Sequence, residues 1–112
     1  DERFLEKPAF AMELCRNAAV RMAQEARDAL HLALDNVTMY SESRVAKIIE
    51  MEESVDRYED ALGTYLVKLN NCDLSQKDSR TLSILLHCIG NFERIYLTDQ
   101  ICHYIVMLVY LP

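Results

Sequence analysis

From Pro8 to Pro112 the chain carries no other proline, and its two glycines, Gly63 and Gly90, stand far apart. Proline removes a backbone donor and clashes with the preceding turn, and a glycine inside a helix costs about 1 kcal/mol relative to alanine. A chain so short of both has little to interrupt a helix, and it is rich in Ala, Leu, Glu, Arg and Met, which favour one. The expectation is an all-α protein.

Three stretches carry the periodicity. Pro8 suits the first helical position, where its missing N–H has no partner in any case. After it Met12, Cys15, Ala19, Met22, Ala26, Ala29, Ala33 and Tyr40 follow the 3-4 spacing of a bundle helix, with small residues that allow close approach. The segment "YSES" offers Ser41 and Ser43 as caps for a second helix from about Glu42 to Leu69. Its seam reads Val45, Ile48, Glu52, Val55, Glu59, Leu62, Leu66 and Leu69, so two glutamates stand on the core side. "NNCDLS" then turns the chain, and Ser75 with Asp78 has the form of a capping box. A third helix carries Leu82, Leu85, Leu86, Ile89, Phe92 and Tyr96, with Ile105, Val106 and Val109 as candidates beyond. Three segments of roughly 30 residues, each about 45 Å long and joined by short turns, predict an up-down-up antiparallel three-helix bundle. At 112 residues the whole chain, 1–112, reads as one domain able to bury a core without staples.

Composition narrows the partners. The net charge is −6, the pI is about 5.0 and no cluster of Lys or Arg exists, so the basic face that phosphate backbones require is missing and nucleic acid is not expected. Cys15, Cys72, Cys88 and Cys102 are widely spaced with no C-x-x-C pair, which points to reduced thiols rather than a zinc or disulfide framework. The start at Asp1, with neither Met nor a leader, reads as a piece of a longer protein. The apolar run Tyr104 to Pro112 is shorter than the ~20 residues that span a membrane, so this segment is not expected to cross one.

The chemistry concentrates in "IIEMEESVDRYEDAL". Glu52 and Asp56 are one turn apart on one helix face, and Glu59 lies further along. Carboxylates gathered on a seam lose hydration, and a basic partner, a proton or a metal ion can relieve them. Their oxygens are hard ligands suited to iron, manganese, magnesium or calcium, and zinc also fits. Glu93, in "NFERIYLTD", completes such a site if the second and third helices face each other in register. The structural alternative is that Glu52 and Glu59 sit at the seam edge and pair with Arg44, Arg80 or Arg94. Asp28-x-x-His31 falls on the outer face of the first helix, and His87 and His103 read as ordinary surface or edge histidines. No Glu-x-x-His motif, nucleophile–base arrangement or Gly-rich phosphate loop is present, so no catalytic residue is assigned and an enzyme is not expected.

Three segments together resemble a known family. "DERFLEKPAFAMELCRNAAVRMAQEARDAL", "IIEMEESVDRYEDAL" and "LSQKDSRTLSILLHCIGNFERI" are similar, in that order, to the PhoU-like domain of bacterial sodium/phosphate cotransporter family proteins. The resemblance covers Asp1 to about Ile95. It implies a three-helix PhoU repeat on the cytoplasmic face of the inner membrane, part of a membrane transporter, regulating phosphate uptake rather than catalysing a reaction. It also implies two acidic motifs on adjacent helices that bind iron or zinc. The first falls on Glu52 and Asp56, and the second on Glu93 and position 97. Position 97 is Leu97 in this chain. Asp99 stands six residues beyond Glu93, about 120° around and about 9 Å along an undistorted helix, so it is not expected to substitute for an i+4 carboxylate. The implied partners are the adjoining membrane domain of the transporter or a second copy of the chain. The competing reading is a helical interaction or oligomerisation module with structural carboxylates and no metal, motivated by the apolar segment Tyr104 to Leu111.

Overall fold

The computed structural model describes residues 7–110, apart from the side chains of Glu93 and Tyr96. The lead before Lys7, the end of the apolar tail at Leu111 and the proposed core role of Tyr96 therefore lie outside the described residues. Three helices follow one another: α1 Pro8–Thr38, α2 Glu42–Asn70 and α3 Gln76–Tyr110, and no strand occurs among the described residues. None of the helices is long and apolar enough to cross a membrane.

The ends form where the local chemistry places them. Pro8 opens α1. Ser41 caps α2, its Oγ accepting from the Arg44 N–H, and Ser75 Oγ accepts from the Asp78 N–H at the start of α3. Tyr40, expected on the α1 stripe, lies past the end of that helix. Its ring stacks on Tyr110 at 5.5 Å between centroids, while the Tyr110 hydroxyl donates to the Val37 carbonyl at 2.7 Å. These contacts pin the end of α3 to the end of α1, so the two run in the same direction and α2 runs against both.

The core lies along the expected stripes. Met12, Cys15, Ala19, Met22, Ala26, Ala29 and Ala33 of α1 are all buried, as are Ile48, Val55, Leu62, Leu66 and Leu69 of α2. From α3 come Leu82, Leu85, Phe92, Cys102 and Val106, whereas Leu86, Ile105 and Val109 are exposed. Burial alone moves the Cys15 thiol up to about 11, so it behaves as a small core residue and not as a reactive thiolate. The alanine face of α1 lets it pack extensively on both neighbours, while α2 and α3 meet each other much less. That leaves a groove between α2 and α3, floored by α1.

Candidate functional site: a carboxyl pair that divides the core

The apolar core falls into two clusters. The larger reaches from Ala11 on α1 to Val55 on α2 and Phe92 on α3. The smaller holds Ala33, Ile48 and Cys102. Between them stand Glu52 and Asp99. Glu52 sits four residues after Ile48 and three before Val55, which turns it inward on α2. Asp99 lies seven residues after Phe92 and seven before Val106, on the α3 core stripe, and is only 3% exposed. The two carboxyls hydrogen-bond to each other across the α2–α3 groove.

Two acidic groups can share a hydrogen bond only if one keeps a proton. Burial, then the negative charge of Glu52, then the hydrogen bond to it raise Asp99 from 3.8 to about 7. Burial also raises Glu52, partly opposed by its hydrogen bond to Asp99. The thiol of Cys102, one turn further along, is raised by burial and by the charge of Asp99. Asp99 Oδ1 is buried and accepts from no N–H or hydroxyl donor. Both carboxyls line a cavity of about 140 Å³, walled by Ala33, Ile48, Cys102 and Val106 and edged by Asn36 and His103. Two carboxyls beside a cavity, one with a buried oxygen that no N–H or hydroxyl donor reaches, have the chemistry to share a proton or accept a cation.

The residues expected from sequence take different places. Glu52 faces the groove, half-buried, and meets a carboxyl instead of an arginine. Asp56 is exposed one turn along the same helix. Glu93 lies on α3, but its side chain is outside the described residues. Leu97 is 60% exposed, on the side of α3 away from Asp99. Sequence reasoning tested Asp99 only as a substitute at position 97 and did not place it beside Glu52. Asp99 reaches Glu52 from its own place on an unbroken helix, without standing in for position 97. The signal that finds it is its seven-residue spacing to Phe92 and Val106. Arg44, a proposed partner for the seam glutamates, instead binds Asn36 Oδ1 and the Met39 carbonyl. Asn36 is a buried polar residue that sequence reasoning passed over; its Oδ1 also accepts from the Ser41 N–H at 2.9 Å, which fixes the α1–α2 turn. Asp28 and His31 are exposed, with Asp28 paired to Arg27 at 3.2 Å, and His87 and His103 are exposed as well.

Among the described residues, no group of three or more His, Cys, Asp or Glu side chains is arranged to hold a metal ion. The described part of the site is thus a pair of carboxyls that share a proton. Neither the curated proteins nor the solved structures contain a match to this chain. The model of the PhoU domain, however, matches residues 19–103, which span the acidic part of α2, the groove and Asp99. With that match over most of its length, on a bundle of three helices, the chain belongs to the PhoU domain family.

Proposed function

We propose that the chain is the cytoplasmic regulatory domain of a sodium-dependent phosphate transporter, held at the inner membrane as part of that protein. PhoU domains are regulatory helical domains of phosphate transport, which supports the coarser half of this reading. The observation that carries the site is Glu52, turned toward α3 against the carboxyl of Asp99. In this reading Glu52, Asp56 and Glu93 would hold iron or zinc. Such an ion would neutralise the carboxylates and tie α2 to α3, where they otherwise pack least. Metal analysis of protein purified without chelator tests it. If Glu52→Ala and Glu93→Ala both leave metal content unchanged, the ligand assignment is wrong.

A second reading is favoured by a different observation. Leu97, Ile101, Tyr104 and Leu108 are each more than half exposed on α3. Apolar faces of that kind mark interfaces, so the domain would act as an interaction or oligomerisation module with structural carboxylates. The two readings can both hold, because the exposed face and the carboxyl pair are on opposite sides of α3.

A further inference from the structure

The cavity beside the carboxyl pair combines two chemistries. Its volume of about 140 Å³ approaches the ~150 Å³ of apolar protein cavities that take up one benzene-sized molecule. Ala33, Ile48, Cys102 and Val106, all buried, give it apolar walls. One end is acidic. Glu52 and Asp99 both line it, and Asp99 is 3% exposed with an Oδ1 that accepts from no N–H or hydroxyl donor. No Lys or Arg is among the described lining residues, so the chain brings no cation of its own to this end. Ile49 and His103, both exposed, stand on the lining, and a ligand can enter from solvent between them. A dry cavity alone suits an apolar guest, and two carboxyls alone attract any cation. Together they select a molecule with a cationic head and a hydrocarbon body. A bare metal ion bonds through oxygen ligands and gains nothing from walls of Ile and Val. A primary ammonium carries three N–H donors, enough for one oxygen of each carboxyl with a third left for water or the Gln100 amide. Such charge-assisted bonds are the strong ones, and burying the alkyl chain adds the hydrophobic gain.

We propose that this cavity binds a small primary amine as its ammonium ion, the nitrogen held by Glu52 and Asp99 and a short alkyl chain lying along Ala33, Ile48 and Val106. The ligand touches all three helices and closes the bundle where α2 and α3 pack least, so binding stabilises the fold. The site shares Glu52 with the metal reading but does not rest on it. Asp56, one of the ligands of that reading, is exposed and does not line the cavity.

Titration of the isotope-labelled protein with n-butylamine near neutral pH, in chelator and followed by amide NMR, tests this; the amine is protonated there. Shifts should saturate and centre on Ala33, Ile48 and Val106, with a Kd of about 1 mM or tighter for so small a ligand. n-Butanol has the chain without the charge and should bind about 10-fold more weakly or worse. Asp99→Asn and Glu52→Gln keep the side-chain shapes, and each should weaken n-butylamine by about 10-fold or more with unchanged helicity by circular dichroism. Glu53→Gln, on the exposed face of α2, should change nothing. n-Butanol binding as tightly as the amine, or indifference to both carboxyl substitutions, would overturn the ammonium and leave a plain apolar cavity. Shifts that spread over the acidic surface without saturating, or no shifts at about 10 mM amine, would overturn the site. Because chelator is present throughout, the metal reading stands or falls separately, on the metal content of Glu52→Ala and Glu93→Ala.

Discussion

Replacing Asp99 by asparagine tests whether the carboxyl pair is a protonation-dependent break in the core. The amide keeps the shape, can donate to Glu52, and leaves a neutral oxygen in place of a carboxyl one. Burial and Glu52 raise Asp99 from 3.8 to about 7, so between those values the folded protein holds a proton that the unfolded chain has released. Stability therefore falls as pH rises through this window and is lowest above it, the opposite of a salt-bridged aspartate. From pH 5 to pH 8 the wild type should lose at most ~3 kcal/mol through this pair, at 1.36 kcal/mol per pKa unit. Glu52 is half-exposed, and water screening reduces the expected loss to about 2 kcal/mol. Asp99→Asn removes that loss, so its advantage over the wild type should grow by the same amount between the two pH values. Urea denaturation followed by circular dichroism, in buffers containing chelator, measures both profiles. Other titrating groups cancel in the difference. A stability difference that is independent of pH, or that grows toward acid, would refute the assignment of a shared proton to this pair.

Three further outcomes follow from the packing. Leu66 is fully buried between the helices, so Leu66→Ala should cost about 2–5 kcal/mol in the same denaturation assay. Asn36→Ala leaves the Ser41 N–H without its acceptor and takes one of the Arg44 guanidinium's two acceptors, and about 1–3 kcal/mol should be lost. Tyr110→Phe deletes the hydroxyl bond to the Val37 carbonyl, a loss of about 0.5–1.5 kcal/mol. Its clearer signature is hydrogen exchange, which should quicken in the last turns of α3 and leave the middle of α2 unchanged.

The helices were legible because each carries its own evidence. On α1 the spacing from Met12 to Ala33 names buried residues, and Pro8 and Ser41 mark ends by local hydrogen-bonding rules that need no tertiary partner. Leu86 fails for a related reason: it follows Leu85 on a helix apolar on more than one side, and periodicity alone cannot tell which side faces inward. Asp99 was obscured by its charge. Compared only with Glu93, an aspartate six residues on looks misplaced. Compared with Phe92 and Val106, it occupies a heptad position of the core stripe, as Glu52 does between Ile48 and Val55. Each acid alone reads as the tolerated edge of a seam. What neither sequence position contains is the other helix, and the meeting of the two is set by the register that the Tyr110–Val37 and Asn36–Ser41 contacts impose at one end of the bundle. The apolar outer face of α3 follows the same logic in reverse. Leu97, Ile101, Tyr104 and Leu108 are as regularly spaced as the buried residues, and among the described residues nothing covers them. On a helix apolar on two sides, periodicity marks both faces, and only the placement of the neighbouring helices decides which of them is buried.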